Sequence, residues 1–154
     1  MDFAAADSNF RERVKDSFSR QGFMAHLGAT LDVPSPGACE IRIPFAKRVA
    51  QQHGYFHGGV VGALADAAAA YAGFTLLPTS ATILTVEYKV NLLSPARGEA
   101  LVSRGHVLKG GRTLIVVRAD VYAINGSDET LCATALVTMM VLEGRPDAPR
   151  PREG

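Results

Sequence analysis

The chain has 154 residues, nearly half of them apolar, which is enough for one well-buried core and too few for two ordinary domains. Its formal charge is +1, with acids and bases interspersed, so the basic footprint that nucleic-acid binding needs is missing and no nucleic-acid partner is expected. Small molecules and further copies of the chain are left as the expected partners.

The N-terminal segment carries no apolar stretch of the kind a signal peptide needs, so the expected location is the cytoplasm. In residues 9–19, Phe10, Val14 and Phe18 recur at every fourth position among charged neighbours, which predicts a short surface helix with one apolar face. Residues 26–33 and 38–44 read as two strands. Between them Pro34, Ser35, Pro36 and Gly37 suit a turn, so the two are expected to pair as a hairpin. Residues 46–57 have no clear period and lead into residues 58–77, an almost continuous apolar run long enough to span a bilayer. Asp66 sits near the middle of that run, however, and a charge at that depth in lipid is costly. The alternative is a helix buried at the centre of a small domain, so no membrane partner is expected. Pro78 is expected to stop it.

Downstream everything reads as β. In residues 82–92, Leu84, Val86, Tyr88, Val90 and Leu92 alternate with Thr85, Glu87, Lys89 and Asn91, which predicts a strand covering the core with the first set. Residues 100–108, 114–124 and 130–142 read as three more strands. Turn signals separate them: Ser94 to Gly98, Lys109 to Arg112, and Asn125 to Asp128. Cys39 and Cys132 fall inside strand-like stretches and read as small buried hydrophobes rather than as a disulfide. The proline-rich residues 144–154 bury too little to order themselves, so the domain is expected over residues 1–143 with a frayed tail. One apolar helix followed by an antiparallel sheet predicts an α+β fold with the sheet wrapped around the helix. Such a sheet leaves open edges, and pairing with another copy of the chain closes them, so at least a dimer is expected.

Chemistry concentrates around the apolar helix. His57, Gly58 and Gly59 stand at its start, where unpaired N–H groups and the positive end of the helix dipole can hold an anion or polarise a carbonyl. At such a position His57 either orders the loop or acts as a base. Asp66 is the only charged residue of the helix and is flanked by alanines; burying it is costly unless something compensates, so its presence needs a reason. Asp66 lies eight residues beyond Gly58, or ~12 Å along the axis, too far for one carbonyl to touch both. Two such helices antiparallel across a two-fold axis would bring the start of one beside the middle of the other, giving two composite sites per dimer. The four histidines lack metal-ligand spacing, neither cysteine belongs to a Cys-x-x-Cys pair, and no Gly-x-Ser-x-Gly occurs, so neither a metal nor a serine nucleophile is expected.

Three blocks make the sequence familiar: Gln51-x-x-Gly54-x-x-His57-Gly58-Gly59; Leu64-Ala65-Asp66-x-Ala68; and Thr85-x-Glu87-Tyr88-x-x-Asn91-x-x-Ser94-Pro95-Ala96. Together they resemble the PaaI-like branch of the hot-dog-fold thioesterases, over roughly residues 22–142. The resemblance implies a hot-dog fold and hydrolysis of acyl-CoA or aryl-CoA thioesters to free acid and coenzyme A. No cofactor is implied, coenzyme A being part of the substrate, and the implied assembly is a homodimer or a dimer of dimers. Carried over by position, the Gly58 N–H polarises the thioester carbonyl, and Asp66 of the other chain acts as general base or nucleophile. Thr85 and Gln51 orient water or carboxylate, with His57 beside them. Gln51 stands where the family often has asparagine, and Ala67 where it often has Ser or Thr. Gly59 and the turn Lys109, Gly110, Gly111 and Arg112 are the expected substrate-binding positions, the turn meeting the CoA phosphates. The rival expectations are a hot-dog module that binds acyl-CoA without hydrolysing it and a fold-mate dehydratase.

Overall fold

The computed structural model describes residues 3–148. Helix α1 (Phe10–Ser19) forms where the four-residue spacing places it, with Phe10 and Val14 buried and Phe18 edge-on to Tyr71 at 5.5 Å between ring centroids. The next element corrects the reading of residues 26–33 as strand. Helix α2 (Gly22–Leu27) occupies the start of that stretch because Met24 and Leu27, three apart, bury one helical face. Gly28 then ends it at φ 71°, a left-handed conformation that glycine adopts without steric cost. Strand β1 is reduced to Thr30–Asp32, and its hairpin with β2 (Ala38–Pro44) runs from Thr30 opposite Arg42 to Asp32 opposite Glu40.

Helix α3 (Gly58–Phe74) is the long apolar helix. It stops short of Leu77 because the buried Thr75 hydroxyl donates back to the Ala72 carbonyl at 2.6 Å and accepts from the Gly37 N–H at 2.7 Å. That pair of bonds ties the helix end to the β1–β2 turn. No helix among the described residues is long and apolar enough to cross a membrane.

Strands β3 (Ala81–Leu92), β4 (Ala100–Gly110), β5 (Leu114–Asn125) and β6 (Asp128–Glu143) join β1 and β2 in one antiparallel sheet of order β1-β2-β4-β5-β6-β3. One face packs on α3, with Ile115, Val117, Val121, Val137 and Met139 buried between them. The approach is closest where Gly105 of β4 passes under the Ala68 carbonyl of α3, leaving no room for a Cβ. This is the hot-dog arrangement of a sheet wrapped on a central helix. Cys39 and Cys132 are buried and unpaired. Of the C-terminal residues 144–154, Asp147 is held by Arg20 at 2.5 Å, and 149–154 lie outside the described residues.

Strand β3 departs from the simple alternation read in its sequence. A bulge at Val86 lets two residues occupy the space of one, so the side chains change faces there. Thr85 opposes the buried Met139 and Tyr88 opposes the buried Val137, and both therefore face α3, while Glu87 opposes Thr138 on the outer face. Nor does the strand cover the core as expected. It is the outermost strand of the sheet, and Leu84, Val86, Tyr88 and Leu92 are 58%, 59%, 46% and 61% exposed.

Candidate functional site

Asp66 lies in the third turn of α3 on the side turned towards β3, half-buried and lining a cleft of about 380 Å³ with Thr85 and Tyr88. The Thr85 hydroxyl donates to Asp66 Oδ1 at 2.7 Å. That bond exists only because the bulge turns Thr85 inward. It fixes one carboxylate oxygen and leaves the other free to meet a proton or an electrophile. The alanines around the acid give the cleft its room: Ala63, Ala67 and Ala70 line it, while Leu64, Ala65, Ala68 and Ala69 face the core.

The start of α3 sorts its own amide groups. His57 is the N-cap, and its Nδ1 accepts from the Gly59 N–H at 2.9 Å; a Cβ on Gly59 would press on the ring at 3.0 Å. The Val60 and Val61 N–H groups turn back to the His57 carbonyl. Among the described residues, the Gly58 N–H has no acceptor, so the amide of Gly58 is the free donor at the helix start, with that of Gly59 committed to the cap. The loop-ordering alternative for His57 is the one this geometry favours, since the nitrogen facing the helix is already an acceptor.

Gln51 stands beside Gly58 in a second cleft of about 390 Å³, together with Tyr55, Phe56, Leu92 and Pro95. Its Oε1 accepts from the His53 N–H, and its backbone N–H donates to Tyr55 O at 2.8 Å. With Oε1 engaged, the amide Nε2 is the remaining donor of the side chain. Cys132 lines the same cleft, but burial pushes its thiol up to about 11, and burial likewise raises that of Cys39. Neither is a thiolate at neutral pH, so neither is a ready nucleophile.

The turn residues stand apart from both clefts. Gly110, Gly111 and Arg112 line a third cavity of about 360 Å³ with Leu76 and Pro78, beyond the C-terminal end of α3, and Lys109 precedes them as the penultimate residue of β4. Within one chain the structure therefore brings Asp66 together with Thr85, and Gly58 with Gln51, while the turn joins neither pair. The cleft at Asp66 also contains residues that the sequence reading missed, Gln21, Phe23 and Met24. They arrive on α2, and the signal that points to it is Met24 and Leu27 at helical spacing followed by a capping Gly28.

Residues 53–135 match the family model of the thioesterase superfamily. The chain is similar to a putative esterase of Haemophilus influenzae, 28% identical over 119 residues that cover 77% of this chain and 84% of that one. It is also similar to acyl-coenzyme A thioesterase 13 of Mus musculus, 29% identical over 120 residues covering 73% and 81%. Among solved structures, a thioesterase family protein from Silicibacter pomeroyi superposes with a TM-score of 0.85 at 44% identity, covering 88% of this chain and 99% of that one.

Proposed function

The chain belongs to the thioesterase superfamily and is a thioester hydrolase, and from that premise we propose that it hydrolyses acyl-CoA or aryl-CoA thioesters at sites shared between two subunits. The observation that carries the proposal is the position of the two clefts. Asp66 with Thr85, and Gly58 with Gln51, lie at opposite halves of the same edge strand, β3, which pairs with β6 on one side only. Pairing β3 with the β3 of a second copy, antiparallel about a two-fold axis near Tyr88, sets the Leu92 end of one strand beside the Leu84 end of the other. The Gly58 cleft of one subunit then opens on the Asp66 cleft of its partner.

Three further features support that pairing. An edge strand of twelve residues offers its N–H and C=O groups to another chain, and its exposed leucines and valine are costly to leave in water. On α3, Gly59, Ala63, Asp66 and Ala70 form a stripe that no element of the same chain fully covers. Small residues there allow a second α3 to approach closely.

In the composite site the Gly58 N–H donates to the thioester carbonyl and stabilises the negative charge that grows on its oxygen. The partner's carboxylate, held by Thr85, either takes a proton from the attacking water or attacks the carbonyl carbon itself and is released by water. In both cases the C–S bond breaks, the thiolate of CoA leaves and is protonated, and the free acid departs. Gln51 Nε2 is proposed to hold the water. The third cavity, lined by Arg112, is proposed to meet the phosphates of CoA together with the neighbouring Lys109, and no cofactor besides the substrate's own CoA takes part. A dimer of such dimers is the proposed assembly.

The test is release of free thiol from a panel of acyl-CoA and aryl-CoA esters by the wild type beside Asp66→Asn. The expected outcome is turnover by the wild type and a loss of at least ~100-fold in kcat in a variant that melts normally. Binding of the esters without thiol release by the wild type would instead identify a non-catalytic acyl-CoA-binding module.

A further inference from the structure

The Asp66 cleft does not end at α2. It shares Gln21, Ala70 and Ile83 with a smaller cavity of about 100 Å³, to which Ser17, Tyr71 and Asp147 contribute. Ala70 lies one turn below Asp66 on α3, ~6 Å along the axis. Over that distance the lining changes character. Beside the acid it is alanine, with Phe23 and Met24 of α2 opposite; at the junction it becomes polar.

Gln21 stands at this junction, half-buried. Its Nε2 donates to the Tyr71 hydroxyl at 3.0 Å, and the same hydroxyl is 3.4 Å from Ser17 Oγ. Tyr71 is itself fixed, buried between Phe18 and Phe74 in two edge-on ring contacts. The Gln21 side chain is thereby tethered at one end, with Nε2 towards Tyr71, and its Oε1 has no donor among the described residues. An apolar group that fills this end of the groove removes water from Oε1 and gives nothing back, whereas a group carrying a hydroxyl replaces the lost hydrogen bond.

We propose that Gln21 is a specificity-determining residue that selects acyl groups bearing a hydroxyl about one helical turn from the thioester carbonyl. The proposal rests on the reading of the Asp66 cleft as the acyl site. Gln21 also lies outside residues 53–135, so the selector is separate from the segment that carries the superfamily match. Tyr71 is a positioning residue that acts through Gln21.

The experiment compares kcat/KM for pairs of acyl-CoA esters of equal length, one hydroxylated at the far end and one not, with wild type, Gln21→Leu and Tyr71→Phe. The wild type is expected to favour the hydroxylated ester at least about tenfold at the length that reaches Gln21. Gln21→Leu abolishes the preference while turnover of the plain ester is kept or raised. Tyr71→Phe keeps the ring packing, releases the amide and shrinks the preference in the same direction. Equal kcat/KM for both esters of every pair in the wild type, or a preference unchanged in Gln21→Leu, overturns the proposal and leaves the role of Asp66 standing. If the wild type releases thiol from neither ester, the Asp66 reading fails separately, and the ratio of the two Kd values from calorimetry then decides the Gln21 proposal: a ratio of one overturns it.

Discussion

Thr85 is the residue whose sequence role and structural role differ most. Strict alternation along residues 82–92 sets it opposite Tyr88, on the polar outer side. The bulge at Val86 brings both inward, and only then does the hydroxyl reach Asp66 at 2.7 Å. Asp66 itself was legible as an unexplained charge in an apolar helix, and the structure supplies the explanation as a cleft rather than a salt bridge. His57 and Gly59 show the converse, two neighbours at a helix start that satisfy each other and so leave Gly58 as the free donor. At this scale Arg112 makes a separable prediction. It lines a cavity at the far end of α3 from Gly58, so on the proposed function its contribution is expected in ground-state binding. Arg112→Ala should raise KM for CoA esters several-fold with kcat nearly unchanged, read from initial rates over a range of ester concentrations; an unchanged KM would move the nucleotide site elsewhere.

Among the elements, α3 and β4 determine how deeply the helix sits in the sheet. Their contact at Gly105 admits no side chain because the Ala68 carbonyl occupies the space a Cβ would take. Gly105→Val should therefore push helix and sheet apart at the level of Asp66. The expected cost is ~1–3 kcal/mol, the usual range for overpacking, measured as a lower midpoint in urea unfolding. A variant as stable as wild type would mean that the helix has freedom to shift there. The element most visible in sequence was α3 and the least visible α2. The former has seventeen residues of nearly continuous apolar character, whereas the latter has six and is held by two buried side chains and a capping glycine. Short helices depend on tertiary packing more than on their own sequence, so the β-like composition of residues 26–33 prevailed in the reading.

For the whole molecule the decisive question is which chain supplies which group. Two inactive variants answer it. Asp66→Asn keeps the Gly58 donor, and Gly58→Val keeps the acid but blocks the helix start, where a Cβ already meets Leu92 at 3.4 Å. Unfolding and refolding the two together should yield mixed dimers in which one of the two sites is wholly native. Thiol release is expected to return to about a quarter of the wild-type level, half the dimers being mixed and half their sites intact. If each site belonged to a single chain, mixing would restore nothing.

Sequence alone determined the fold class, the central helix, the places of the four long strands along the chain and the isolation of Asp66, because all of these follow from hydrophobic period and from the cost of charge in an apolar setting. The helix rise also separated Gly58 from Asp66 without any coordinates. Tertiary structure decided the rest: the bulge that turns Thr85 inward, the cap that spends the Gly59 amide, and the arrival of α2 with Gln21 beside the acid. Each depends on contacts between segments far apart in the chain, and the energy of such contacts is not carried by local sequence.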